Sequence, residues 1–81
     1  MRADTNLSEV VGKFPGIFSN KRNRRQLFHS RDKTYIVEET KLQAKTAYQV
    51  IQVTKDITLK TGKFYKSLED LEATYAIELN F

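Results

Sequence analysis

Apolar and polar positions recur along this chain with two different periods, and the switches between them mark out its elements. Leu7, Val10, Val11 and Phe14 fall at i, i+3, i+4 and i+7, one stripe of a helix. Asn6 stands where an N-cap belongs, with Glu9 three residues on in a variant of the capping box, and Pro15-Gly16 stops the helix. A helix of about two turns does not hold itself together in water, so this stripe is expected to dock on the body as core cover rather than act as a partner-binding anchor.

After Gly16 the pattern turns toward strands. Residues 26–29 and 34–38 flank Ser30-Arg31-Asp32-Lys33, whose polar residues suit a tight turn. If Arg31 and Asp32 form a two-residue loop, Phe28 lies opposite Tyr35 on one face and Leu27 opposite Ile36 on the other. One face is then core, and the other could be a stacking surface. A second hairpin is predicted from residues 57–60 and 63–66 joined by Thr61-Gly62, with Gly62 supplying a positive φ. That register pairs Leu59 with Phe64 on the buried face and leaves Thr58, Lys60, Lys63 and Tyr65 outside. The two lysines would then oppose each other across the ladder, as solvated edge protection or as the place of a bound anion.

The middle of the chain is mixed. Residues 38–49 contain good helix formers, while Val50, Ile51, Val53, Thr54, Ile57 and Thr58 are β-branched. The reading is a strand from about Ala47 to Thr54, preceded by a loop or a single helical turn around Lys41 to Lys45. Ser67 then reads as an N-cap, with Glu69 and Asp70 favoured by the helix dipole. Leu68, Leu71 and Tyr75 face inward, and Ala76 to Phe81 form a closing strand. The fold class is therefore α+β: a small antiparallel sheet of about five strands, with a short N-terminal helix and a short helix before the last strand. An SH3-like, partly closed barrel is the alternative, on element order alone. No motif ties the chain to a family.

Length and composition bound this picture. The 81 residues make one domain, 1–81, with 1–6 expected to be flexible and 19–25 a basic loop. The absence of cysteine removes disulfides and thiolate metal sites and fits a reducing, cytoplasmic setting. The start of the chain carries no apolar core of a signal peptide. Apolar runs of about three residues fall far short of the roughly 20 that span a bilayer, so no membrane partner is expected.

Charge changes the picture most. Four of the five arginines, Arg22, Arg24, Arg25 and Arg31, lie between Lys21 and Lys33, whereas the nine lysines are spread along the sequence. From Lys13 to Lys33 seven basic residues meet one acid, Asp32, so this quarter of the chain carries a local balance of +6 against a total of +4. Arginine is suited to forked recognition of phosphate or carboxylate, and so concentrated a field steers encounters with anions.

Catalytic chemistry finds little footing. The single histidine, His29, has no acid predicted beside it, and Ser30 next to it on a strand points to the opposite face. Adjacent acids at Glu38-Glu39 and Glu69-Asp70 diverge for the same reason. Three glycines make no phosphate cradle, and no metal-ligand spacing occurs. No enzyme, cofactor or metal is expected.

The expected function is thus a small basic nucleic-acid-binding module. Lys21, Arg22, Arg24, Arg25, Arg31 and Lys33 would contact phosphates, together with Lys60 and Lys63, while Asn20, Asn23 and Gln26 offer amides to sugars or base edges. Phe28, Tyr35 or Tyr65, if exposed, would stack on bases. DNA and RNA fit equally. The alternative is a protein-binding modulator or inhibitor, of the kind found among bacterial or phage accessory proteins, docking on an acidic surface of a larger partner. The edge strand closing at Phe81 could also pair two copies into a homodimer.

Overall fold

The computed structural model describes residues 6–18, 20 and 22–81, in the order α1 (Leu7–Lys13), β1 (Arg24–Ser30), β2 (Lys33–Leu42), β3 (Lys45–Val53), β4 (Leu59–Tyr65) and α2 (Leu68–Tyr75). The strands form a four-stranded antiparallel meander in the order β1-β2-β3-β4. The chain is therefore α+β, with four strands where about five were expected. The sheet stays open, since β1 and β4 sit at opposite edges, and the barrel alternative falls with that.

Both faces of the sheet are core. On one, Val10 and Phe18 pack with Ile36, Ile51 and Val53, joined by Leu7, Val11, Phe14, Leu27 and Leu59. On the other, Leu71 and Leu79 cover Phe28, Val37 and Val50, with Tyr35, Tyr48, Leu68 and Tyr75 around them. Period-2 alternation sends neighbours to opposite sides, so Ile36 and Val37, like Val50 and Ile51, serve different cores. Three fully buried side chains on each face contribute roughly 4–9 kcal/mol. That is comparable with the net stability of a whole small domain, so neither cover is dispensable.

The caps form as expected. Asn6 Oδ1 accepts from the Glu9 amide at 2.8 Å, and Ser67 Oγ accepts from the Asp70 amide at 3.2 Å. The first hairpin also has the expected register, Phe28 opposite Tyr35 and Leu27 opposite Ile36. Arg31 (φ 53°) and Asp32 (φ 65°) are both left-handed in its loop.

Three expectations are corrected. There is no Thr61-Gly62 hairpin: β4 runs through both residues, Leu59 pairs with Val53, Phe64 pairs with Gln49, and Lys60 and Lys63 lie on one strand. The chain reverses earlier, at residues 54–58, where Thr54 Oγ1 accepts from the Thr58 amide at 3.0 Å. Gly62 has no positive φ; it lies where the register shifts, and a Cβ there would stand 2.5 Å from the Val50 carbonyl oxygen. The loop or single helical turn expected around Lys41 to Lys45 is shorter than either: β2 runs through Lys41 to Leu42, β3 starts at Lys45, and the connection is tight, with Leu42 paired to Lys45 and Gln43 at φ 53°.

Finally, Ala76 to Phe81 form no strand. Ala76 is left-handed at φ 55°, and the amides that follow are taken locally or by side chains: Leu79 donates to Glu72 Oε2 (2.8 Å) and Asn80 to Gln26 Oε1 (3.0 Å). With the N–H groups of Ile77, Leu79 and Asn80 held that way, the tail covers the α2 face without joining the sheet, and the edge expected to close at Phe81 is absent.

Candidate anion-binding rim

The first hairpin positions the arginines, and it separates them. Consecutive strand residues face opposite sides, so Arg24 and Arg25 diverge, and the register brings each against a glutamate: Arg24 opposite Glu39, Arg25 opposite Glu38. The expected loop of residues 19–25 therefore ends at Asn23, and both arginines belong to β1.

Arg25 is internal. Its guanidinium lies 2.8 Å from Glu38, their side chains only 10% and 9% exposed, and 5.3 Å from the centre of the Phe18 ring. Nη2 donates to the Asn20 carbonyl at 2.6 Å and Nη1 to the Asn23 carbonyl at 3.4 Å. Those bonds fasten the preceding loop to the sheet. As placed, this side chain offers little to an outside anion.

Arg24 is different. Nε and Nη2 each donate to Glu39 at 2.8 Å, the bidentate fork, yet the side chain remains 55% exposed. Two of its five N–H groups are used by this carboxylate. Glu39 is buried and also accepts from the Tyr48 hydroxyl at 3.3 Å. The bond from Arg24 holds its carboxyl below the usual range, against the upward push of burial. Burial, then the nearby Glu39 charge, raises the Tyr48 phenol.

Beside this pair lies a shallow depression lined by Asn20, Arg22, Asn23, Arg24, Glu39 and Lys41. Three cations meet one acid there, and the two asparagines add amides. Asn20 Oδ1 accepts from the Arg22 amide at 2.9 Å, shaping the loop so that the Arg22 side chain stands exposed. A second hollow continues from Lys41 to Lys45 across the β2–β3 turn. At this end of the sheet every strand terminus carries a cation: Arg24 opens β1, Lys41 lies near the end of β2, Lys45 opens β3 and Lys66 follows β4. The four strands make this rim about 14 Å wide. Glu69 and Asp70 follow Lys66 in the first turn of α2, so its field is weakest there.

The other expected residues distribute as follows. Arg31 and Lys33 are exposed at the opposite end of the sheet, at the β1–β2 turn. Lys60 and Lys63 are exposed on β4. Phe28 is buried, stacked on Tyr35 with ring centres 5.1 Å apart. Tyr35 and Tyr65 are half-buried around Tyr75, at 4.9 and 6.2 Å. The rings expected to stack on bases are thus wholly or partly taken up by the core, because α2 covers the face left open in the sequence reading. Lys21 lies outside the described residues, as do residues 1–5 of the segment expected to be flexible. Sequence reasoning passed over Lys41 and Lys45, which the topology brings to the rim, and placed Phe64 on the buried face, whereas the shifted register leaves it exposed near the rim.

His29 is exposed, with Nδ1 3.1 Å from Thr34 Oγ1, while Ser30 is buried on the other face and its Oγ donates to the Tyr75 carbonyl at 2.8 Å. The two do not form a nucleophile-base pair. Among the described residues no group of three His, Asp or Glu side chains could hold a metal ion, and no helix is long and apolar enough to cross a membrane. Comparison with protein-family models, curated proteins and solved structures found no match.

Proposed function

We propose that the chain is a non-catalytic nucleic-acid-binding domain that contacts phosphates along the rim formed by its strand ends. The observation that carries this reading is the depression in which Arg22 and Lys41 stand exposed beside the Arg24–Glu39 pair, two cations left over once Arg24 has neutralised the one carboxylate there. Asn20 and Asn23 lie where sugar or base edges would follow, and Lys45 extends the path to β3. Phosphate neutralisation releases counterions, so affinity falls steeply with salt.

The test is a titration of the full chain with labelled single-stranded and double-stranded DNA and RNA at about 50 mM and about 200 mM salt. The double variant Arg22→Ala/Lys41→Ala is expected to lower the slope of log K against log salt by about 1.4 for single strands and about 1.8 for duplex. Lys55→Ala, at the opposite end of the sheet, is expected to leave it unchanged. If none of these nucleic acids binds at the lower salt, the reading is wrong, and an acidic protein surface becomes the partner these cations would meet.

A further inference from the structure

Among the described residues the largest exposed apolar side chain belongs to Phe64, 64% exposed on edge strand β4. Its placement follows from the register shift. Ile51 opposes Thr61, so an uninterrupted ladder would set Lys63 against Gln49 and Phe64 against Tyr48, on the α2 side with the core. The irregularity between Gln49 and Ile51 moves both by one: Tyr65 takes the place against Tyr48 and joins the aromatic cluster, while Phe64 pairs with Gln49 on the α1 face. A bulge of this kind re-aims a side chain. Glycine at 62 permits it, because any Cβ there would strike the Val50 carbonyl. The α1 core ends at Leu59, Ile51, Ile36 and Leu27, and Phe64 is outside it.

The ring is thus displaced from a core position onto an open part of a sheet face, between Lys63 and Lys66 in sequence and on the same face as Lys45, which opens β3 on the basic rim. An aromatic platform among cations has little use for a duplex, whose bases are stacked inside. It suits unpaired bases, which stack on a ring while the backbone follows the positive charge.

We infer that the rim prefers single-stranded over double-stranded nucleic acid, with Phe64 as its base-stacking residue. This rests on the nucleic-acid reading above. The path runs from Arg22 and Lys41 past Lys45 at the β2–β3 turn to Phe64 and Lys66, so phosphates meet the strand ends and one base meets the ring.

Anisotropy titrations of the full chain with a labelled oligothymidylate and a hairpin duplex, at both salt concentrations, test it with Phe64→Ala, Phe64→Tyr and Phe64→Leu. The single strand is expected to bind more tightly. Phe64→Ala should weaken it roughly 5- to 150-fold with the salt slope and duplex affinity unchanged, Phe64→Tyr should restore it, and Phe64→Leu should not. Thermal unfolding of each variant checks that the fold is intact, as an exposed side chain allows. Unchanged single-strand affinity in Phe64→Ala, or equal losses for both forms, overturns the inference, leaves the ring to a protein contact and lets the phosphate reading stand. Failure of the parent chain to bind any nucleic acid overturns both.

Discussion

Arg25 and Glu38 face each other across the β1–β2 ladder, 2.8 Å apart and almost wholly enclosed. An arginine that composition assigns to an outside anion is therefore occupied by an inside one, and it also holds Asn20 and Asn23 through their backbone carbonyls. Breaking a buried pair leaves one charge uncompensated, so Arg25→Ala is expected to cost about 3–5 kcal/mol in urea unfolding. Arg25→Lys should not rescue it, since an ammonium lacks the fork. The double change Arg25→Met/Glu38→Leu should recover most of the loss.

Gly62 offers a second test. A methyl group there meets backbone rather than a flexible side chain, so Gly62→Ala is expected to lower stability by about 1–3 kcal/mol and to shift Phe64 from its open position. Thermal unfolding measures the first effect. Quenching of a tryptophan introduced as Phe64→Trp, with and without Gly62→Ala, measures the second.

The first hairpin turns on two non-glycine residues in the left-handed region, Arg31 and Asp32. Replacing them with Asn-Gly relieves that strain, and Arg31→Asn/Asp32→Gly is expected to stabilise the fold by about 1 kcal/mol. The rim lies at the other end of the sheet, so nucleic-acid affinity should not change.

Glu39 titrates below its ordinary value because Arg24 binds its charged form. A lowered carboxyl contributes stability above its unfolded pKa, about 4.3, and loses it as pH falls through the lower folded value. Unfolding free energy should therefore drop below about pH 4. In Glu39→Gln this acid-side slope should be shallower, with a lower plateau near neutrality.

Tyr75 moves the opposite way. Burial, reinforced by the neighbouring Tyr65 hydroxyl, pushes its phenol up to about 12. A raised pKa contributes stability that is whole below the unfolded value of about 10 and is lost as pH rises toward the folded one. Ultraviolet titration should show Tyr75 ionising last, after Tyr48, whose phenol is also raised, together with alkaline unfolding. Tyr75→Phe should remove the last step and leave that of Tyr48.

Several elements with local causes could be read from the chain, although the reversal at residues 54–58, equally local, was missed. The α1 stripe, the caps at Asn6 and Ser67, the Arg31-Asp32 turn and the register it dictates all follow from side chains within a few residues of one another. That register, carried three residues past Leu27, also pairs Arg25 with Glu38 and Arg24 with Glu39, so the neutralisation of both arginines was legible. Gly62 misled because a glycine that fits a turn also fits a bulge, and only the Val50 carbonyl across the ladder distinguishes them. The tail misled because the amides of Ile77, Leu79 and Asn80 are taken up by Glu72 and Gln26, and the latter is 54 residues away from Asn80. Tertiary structure alone decided that both sheet faces are covered, which placed Phe28 and Tyr35 in the core. It also gathered Arg22, Arg24, Lys41 and Lys45 at one end and turned Phe64 outward, because strand ends distant in sequence meet only when the meander forms.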